Sequence, residues 1–179
     1  IPFAAAFGNH DKEYGVGNEE FYDLIRTIPY NMHPPREEGG IDFEIELTGR
    51  DGQLVNVLYI IDSRSYDWEI KQYEWILPEQ IERFRKVSAD YAAANDGKPV
   101  PSLAFFHIPL PEMGQAAENQ RAPLWGTRME RCCSPDYNSG MYTAMSECGN
   151  IMAIFNGHDH DNDYVTKVGD IYMCYGRYT

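Results

Sequence analysis

The stretch of sequence that decides the fold is Ile151-Met152-Ala153-Ile154-Phe155-Asn156-Gly157-His158-Asp159-His160. Its first half is a short apolar run, which predicts a buried β-strand over residues 151–155. Two histidines follow, in the motif Gly157-His158-Asp159-His160. Ligands of open α/β sheets bind beyond the carboxyl ends of the strands. A strand that runs into imidazole side chains therefore predicts a binding site at such an edge.

Two other apolar runs end in the same way. Residues 1–7 predict a buried strand, and Gly8-Asn9-His10-Asp11 follows them. Residues 103–106 predict another strand, and His107 comes directly after it. Histidine is the commonest side-chain ligand of transition metals. We therefore expect these three loops to meet around one metal-binding pocket. The remaining histidine, His33, fits no such pattern and is expected in an exposed loop.

In the rest of the chain, apolar runs alternate with turn-forming residues, which predicts an α/β fold. Helices are expected from Asn18 (as the N-cap) to about Ile28, from Pro78 to about Asn95, and over 141–148. Strands are expected over 41–47 and 54–61, which form one hairpin, and over 163–168 and 171–175, which form another around Gly169-Asp170. The segment 109–137 is rich in proline, glycine and polar residues and predicts one long, functional loop. The apolar runs at both ends predict a piece of a longer chain, so that any signal peptide or anchor lies outside it.

Composition excludes some classes of function. The chain has 179 residues, with 15 basic and 28 acidic side chains and a net charge of −13. This balance argues against a nucleic-acid-binding face, which needs clustered lysine and arginine. No apolar stretch reaches the roughly 20 residues of a membrane-spanning helix. The four cysteines form no C-x-x-C pair, so we expect free or singly paired thiols rather than a disulfide scaffold or zinc ribbon. An acidic protein can still bind phosphate where a metal supplies positive charge.

Taken in order, Gly8-Asn9-His10-Asp11, His107 and Gly157-His158-Asp159-His160 resemble the last three signature elements of the calcineurin-like metallophosphoesterases. Residues 105–112, 137–140 and 157–163 narrow this resemblance to the purple-acid-phosphatase-related branch. The D-x-H and G-D-x-x-D motifs of the family are absent upstream of Asn9. The resemblance implies a single domain over residues 1–179 with a four-layer αββα sandwich, in which two mixed β-sheets are flanked by helices, incomplete at both ends.

The resemblance also implies roles for individual residues. Carried over by position, Asn9, His107 and His158 would hold one metal ion, and His160 the other. The two ions, Fe, Zn or Mn, would carry a hydroxide that attacks phosphorus. His10 would act as the general acid that protonates the leaving group, and Asp11 would fix the tautomer of His10. Residues 1–179 alone would bind at most one ion, because the bridging aspartate belongs to the absent motifs.

The activity implied is that of a metal-dependent phosphohydrolase, a phosphomonoesterase in the first place, acting on a small-molecule or protein phosphate ester. This chain alone is expected to be inactive. A phosphodiesterase or nucleotide hydrolase would use the same site, since loops decide the substrate. A non-catalytic metal-binding module is the alternative if residues 1–179 are the whole protein. The resemblance leaves the cellular location open, with an inclination towards a secreted or periplasmic protein.

Overall fold

A computed structural model describes residues 1–13, 15–36, 41–119 and 122–177. Its strands are β1 (Phe43–Thr48), β2 (Leu54–Ile60), β3 (Tyr66–Asp67), β4 (Gln72–Tyr73), β5 (Ser102–Phe105), β6 (Leu124–Thr127), β7 (Ile151–Asn156), β8 (Asp163–Val168) and β9 (Ile171–Tyr175). Its helices are α1 (Asn18–Ile25), α2 (Pro78–Ala94), α3 (Pro111–Glu118) and α4 (Met141–Cys148). The expected mixed α/β class is confirmed, and the arrangement is consistent with a metallophosphatase-like sandwich.

The main sheet has seven strands in the order β1-β2-β5-β7-β9-β8-β6, and β3 and β4 form a second, two-stranded sheet. Strands β2, β5, β7 and β9 run parallel to one another, so their carboxyl ends meet at one edge of the sheet. The two predicted hairpins, β1–β2 and β8–β9, are confirmed. This edge is where the loops that carry His107 and His158 begin.

The two faces of the main sheet are covered differently. Along β2, Val57 and Tyr59 face a large core that includes Phe84 of α2 and the buried residues of α4. Leu58 and Ile60 alternate with them and face a second cluster, built from Phe7, Tyr22, Ile25 and two residues of β1. This alternation is what a strand buried on both faces requires.

Helix ends follow local chemistry. Pro78 stands at the first turn of α2, where its missing N–H costs nothing. The side chain of Gln80 accepts a hydrogen bond from the backbone N–H of Leu77 at 2.9 Å, which satisfies one free donor at the start of the helix. Helix α1 is shorter than predicted: Gly17, not Asn18, is its N-cap, and it ends at Ile25. None of the helices in the described part is long and apolar enough to cross a bilayer.

The prediction of a strand over residues 1–7 is wrong. Only Phe3 forms a β-bridge, with Asn31, outside both sheets. The backbone of this segment pairs with residues 30–33 instead: Phe3 N–H donates to Tyr30 O at 3.1 Å, and Met32 N–H donates to Phe3 O at 2.8 Å. An apolar run shows that a segment is buried, but it does not show which segment it pairs with.

His33 is also placed differently from the prediction. It is buried, with 6% of its surface exposed, rather than lying in an exposed loop. Its Nε2 atom accepts a hydrogen bond from the Ala5 N–H at 2.9 Å, and its ring lies 4.7 Å from that of Tyr22 and 4.6 Å from that of Phe43. His33 therefore fixes the N-terminal segment against the second core cluster.

The segment 109–137 is not one long loop, as predicted. It contains α3, which begins with Pro111 and buries Met113 and Ala116. It also contains β6, an edge strand that pairs with β8 while all four of its residues stay exposed. The short β3–β4 hairpin was not predicted either, because its two-residue strands are too short to show an alternating pattern. All four cysteines are free.

Candidate metal centre

The candidate site lies where β5 and β7 end. His107 follows β5, and Gly157-His158 follows β7. Two hydrogen bonds join the strand ends beyond the last paired residues of β5 and β7. The side-chain amide of Asn156 donates to Phe106 O at 2.8 Å, and Gly157 N–H donates to His107 O at 3.3 Å. The backbone therefore brings the two histidines together before any ligand is considered.

His107 and His158 form a direct pair. Nε2 of His107 and Nδ1 of His158 lie 3.2 Å apart, and the two rings meet edge to face with their centres 5.0 Å apart. Two nitrogen ligands on one tetrahedral ion, with bonds of about 2.0–2.1 Å, lie about 3.4 Å from each other. The observed spacing therefore suits two neighbouring ligands of one ion, as well as a hydrogen bond between neutral rings.

The loop after the N-terminal segment completes this arrangement. Gly8 lies so close to the His107 ring that an added Cβ atom would be 3.1 Å from it. The hydroxyl of Ser65 donates to the backbone oxygen of Asn9 at 3.0 Å, which anchors the loop. Asn9 is buried, and its side-chain oxygen has no hydrogen-bond partner among the described residues. A buried amide oxygen without a hydrogen-bond donor lowers the stability of the fold unless another group, such as a cation, binds it.

The side chain of His10 is exposed, with 70% of its surface accessible to solvent. Its Nδ1 atom lies 2.7 Å from a carboxylate oxygen of Glu13. The expected contact between His10 and Asp11 is therefore wrong, and the carboxylate beside the ring belongs to Glu13. Asp11 instead accepts a hydrogen bond from the Gly8 N–H at 2.6 Å, because a short acidic side chain in a turn readily reaches the backbone three residues earlier.

Burial and neighbouring charges set the protonation state of the two paired histidines. Burial is the main reason that the pKa of His107 falls from 6.5 to about 4. Burial likewise lowers the pKa of His158, while the Asp159 carboxylate opposes this effect. Positive charge on His10 or on the exposed His160 lowers both values further. His107 and His158 are therefore neutral at pH 7, the form in which imidazole binds a metal.

The carboxylate between the two histidines of the last motif points away from them. Asp159 is buried, accepts hydrogen bonds from the Tyr175 hydroxyl and from Cys133 N–H, the latter at 2.9 Å, and donates its own N–H to the Tyr175 oxygen at 2.8 Å. Asn162 accepts hydrogen bonds from Met129 N–H and Glu130 N–H at 3.1 and 3.2 Å. These two side chains therefore fix the turn after β7 rather than binding a ligand.

The donors at this site suit one metal ion rather than two. No three His, Cys, Asp or Glu side chains are grouped to hold an ion within the described ranges. The predicted set of Asn9, His107 and His158 contains only two residues of those types, and its third donor is the amide oxygen that lacks a partner. Two neutral imidazoles and one such oxygen fit a single transition-metal ion.

Sequence reasoning missed several residues around the site. Ser65 and Glu13 hold the Asn9–His10 loop, and Tyr73 packs its ring edge to face with His158 at 4.5 Å. Ser63, which follows β2, accepts a hydrogen bond from the N–H of Ile108 at 2.9 Å. The strand-end rule could have found Ser63, because β2 is parallel to β5, whereas nothing in the sequence pointed to Tyr73.

Known proteins resemble the chain along nearly its whole length. No family model matches it. It is 30% identical, over 98% of its residues, to probable inactive purple acid phosphatase 14 of Arabidopsis thaliana, and equally similar to probable inactive purple acid phosphatase 29 of the same plant. Phosphatase DCR2 of Saccharomyces cerevisiae is 29% identical over the same share. The chain is a homologue of purple-acid-phosphatase-like proteins.

The homology confirms the resemblance that the motifs indicate. The chain spans about half the length of the two plant relatives, 49% and 50%, and 33% of the yeast protein. The names describe phosphatases, and those of the plant relatives call them inactive. The chain therefore has relatives that are named as phosphatases.

Proposed function

We propose that this purple-acid-phosphatase-like chain forms part of a metal-dependent phosphohydrolase. The observation that carries the proposal is the juxtaposition of His107, His158 and the buried amide oxygen of Asn9 at the carboxyl edge of a parallel sheet. Such an edge is where α/β proteins bind ligands. The net charge of −13 makes a bound cation the natural partner for an anionic phosphate ester here.

In this proposal, His107 and His158 bind one ion through nitrogen and Asn9 binds it through its side-chain oxygen. Fe, Zn and Mn suit such donors. The ion would supply positive charge to the phosphate oxygens and lower the pKa of a water molecule. Burial keeps both imidazoles neutral, so no proton has to be displaced before they bind. His160 is assigned to a second ion, whose other ligands would come from outside residues 1–179.

His10 is assigned the proton transfer. Its ring is exposed to solvent, and in this proposal it meets a substrate bound at the metal-binding pair without binding the ion itself. Glu13 accepts a hydrogen bond from Nδ1–H of His10, so that Nε2 is the atom that would give its proton to the leaving oxygen. Glu13 therefore takes the orienting role that the resemblance gave to Asp11.

A non-catalytic metal-binding module is the second candidate, since two relatives are named as inactive phosphatases. Metal analysis of the full-length natural protein, combined with hydrolysis of 4-nitrophenyl phosphate, separates the two. Bound metal with phosphate release supports the phosphohydrolase, and bound metal without it supports the module. Faster hydrolysis of bis(4-nitrophenyl) phosphate than of the monoester would identify a phosphodiesterase. Glu82→Gln, on the exposed side of α2, serves as the control and should leave all readings unchanged.

A further inference from the structure

A cavity of about 200 Å³ lies beside the histidine pair. Its lining includes Tyr66, Lys71, Tyr73, Arg131, Cys133 and Asp136. Tyr73 is the wall that it shares with the candidate metal centre, because the same ring packs edge to face with His158 at 4.5 Å. Whatever occupies the cavity is therefore next to a group bound at His158.

The wall of the cavity on the β3–β4 side is aromatic. Tyr66 and Tyr73 are paired across the hairpin, with ring centres 5.2 Å apart and planes at 82°. Trp68 packs on the outer side of Tyr66 at 4.8 Å and is itself 77% exposed. Rings held in this way offer a preformed surface to another ring, since aromatic side chains favour edge-to-face and offset contacts.

Two cations line the same cavity in an otherwise acidic chain. Lys71 and Arg131 both contribute to it, and among the described residues that line it Asp136 is the one acidic side chain. The ion pairs among the described residues use other cations. The local charge is therefore opposite in sign to the net charge of −13.

The local backbone fixes the positions from which both cations extend. Lys71 has φ of +55°, a left-handed conformation in which glycine or asparagine is normally less strained than lysine. Arg131 lies between Glu130 and Cys133, whose N–H groups are bound by Asn162 and Asp159 of the turn after β7. That turn also carries His158, so the position of Arg131 is coupled to the position of the metal-binding pair.

We propose that this cavity receives the leaving group of the substrate, and that this group is an aromatic ring with a second negative charge. The inference rests on the proposed function, which places the phosphoryl group at His107 and His158. The ring would pack on Tyr66 and Tyr73, and its anionic substituent would pair with Lys71 and Arg131. An uncharged leaving group would leave both cations unpaired, and an aliphatic one would not pack on the two tyrosine rings.

Two phosphonates that cannot be hydrolysed test the inference by titration calorimetry on the full-length natural protein: benzylphosphonate and 4-carboxybenzylphosphonate. The carboxylate should tighten binding about five- to tenfold, the range expected for two solvent-exposed ion pairs. Lys71→Gln and Arg131→Gln should each reduce this preference at least twofold. Arg50→Gln, in the β1–β2 turn, should retain it. Equal dissociation constants in the wild type, or a preference that survives both substitutions, would overturn the inference.

A third probe, 4-methylbenzoate, distinguishes failure of the cavity from failure of the proposed function. If 4-methylbenzoate binds in a manner that depends on Lys71 and Arg131 while benzylphosphonate does not bind, the cavity stands and the phosphohydrolase site fails. If benzylphosphonate binds and the carboxylate brings no gain, the metal-site proposal stands and the cavity assignment is wrong. If none of the three probes binds, both are overturned. Thermal unfolding of each variant shows whether it is folded.

Discussion

At the residue scale, His10 and His158 separate catalysis from metal binding. His10 is exposed and paired with Glu13, whereas His158 is buried and faces His107. In the full-length natural protein, His10→Ala should lower kcat for 4-nitrophenyl phosphate and for an alkyl phosphate while the metal content stays nearly intact. The loss of kcat should be about 10²–10⁴-fold for the alkyl ester, the usual contribution of a positioned proton donor. It should be smaller for 4-nitrophenyl phosphate, because nitrophenolate is a good leaving group and departs without a proton.

His158→Ala is the matched comparison for that experiment. Removing a buried nitrogen donor should lower both the metal content and the rate, with a loss of metal affinity on the order of 10-fold or more. Metal analysis by mass spectrometry, run beside the kinetics, distinguishes the two substitutions. If His10→Ala lost metal in proportion to activity, the role given to His10 would be wrong.

Gly8 tests how tightly the His107 ring is held. An added methyl group would lie 3.1–3.2 Å from three atoms of that ring, so the ring must shift. Gly8→Ala should therefore weaken zinc binding several-fold, since ligand geometry is disturbed, while the unfolding temperature changes by only a few degrees. Gly157→Ala is the control in the same site, because a methyl group there meets only a backbone oxygen at 3.9 Å. Equal zinc affinities for the two variants would contradict this account.

At the scale of the element, one hydroxyl group makes two of the hydrogen bonds that hold the turn after β7. Tyr175 both donates to the Asp159 carboxylate and accepts from the Asp159 N–H, and both residues are buried. Burial, followed by the Asp159 carboxylate, raises the pKa of Tyr175, so the hydroxyl keeps its proton. The arrangement holds the backbone on which His158 stands.

Tyr175→Phe should remove that support without changing the shape of the ring. Leaving the Asp159 N–H and carboxylate without this partner should cost about 1–3 kcal/mol of unfolding free energy, measured by urea denaturation. Zinc affinity should fall as well. Tyr172→Phe, three residues earlier in β9 and 43% exposed, should change neither quantity appreciably. A Tyr175→Phe protein as stable as the wild type would show that the hydroxyl does not hold the turn.

The N-terminal segment has a pH-dependent attachment through His33. Burial above all, and the charge of Arg26, lower the pKa of His33 below 6.5. As the pH falls below 6.5, the unfolded chain takes up this proton before the folded protein does, so stability is complete above 6.5 and decreases below it. Protonation would also oppose the hydrogen bond from Ala5, because Nε2 could no longer accept it.

His33→Gln isolates this contribution, since glutamine can still accept the bond but does not titrate. Between pH 7.5 and 5, the unfolding free energy of the wild type should fall more steeply than that of the variant. Asp42 acts in the opposite direction in both proteins, because burial raises its pKa to about 6 and protonation then favours the folded state. The comparison of slopes removes that contribution along with those of His107 and His158. Equal slopes would show that His33 does not contribute.

At the scale of the whole molecule, the features that could be predicted from the sequence are those that depend on local residue patterns. The parallel strands were predictable because each is an apolar run with a defined end. The loops that follow β5 and β7 were predictable as a site because histidine is rare in this chain and occurs shortly after both strands. Residues 1–7 were expected to be a strand, since burial was visible but the pairing with residues 30–33 was not. The environment of His33 likewise depends on rings that are distant in sequence.

The surroundings of the site were less predictable than its centre. Contacts such as Ser65 to Asn9, 56 residues apart, and Cys133 to Asp159, 26 residues apart, arise only once the sheet has formed. The same applies to the edge strand β6, whose four residues are all exposed and therefore show no burial pattern. Contacts between residues that are distant in sequence orient the side chains of the site, and the spacing of motifs does not reveal such contacts.

The central claim is that Asn9, His107 and His158 together hold one metal ion, and calorimetric titration of the 179-residue chain with Zn²⁺ tests it most directly. Circular dichroism first establishes that each protein is folded. The account predicts one tightly bound ion per chain, with affinity lowered at least tenfold by His107→Ala or His158→Ala and little changed by His160→Ala. No bound ion, two tightly bound ions, or one whose affinity survives both His107→Ala and His158→Ala would contradict it.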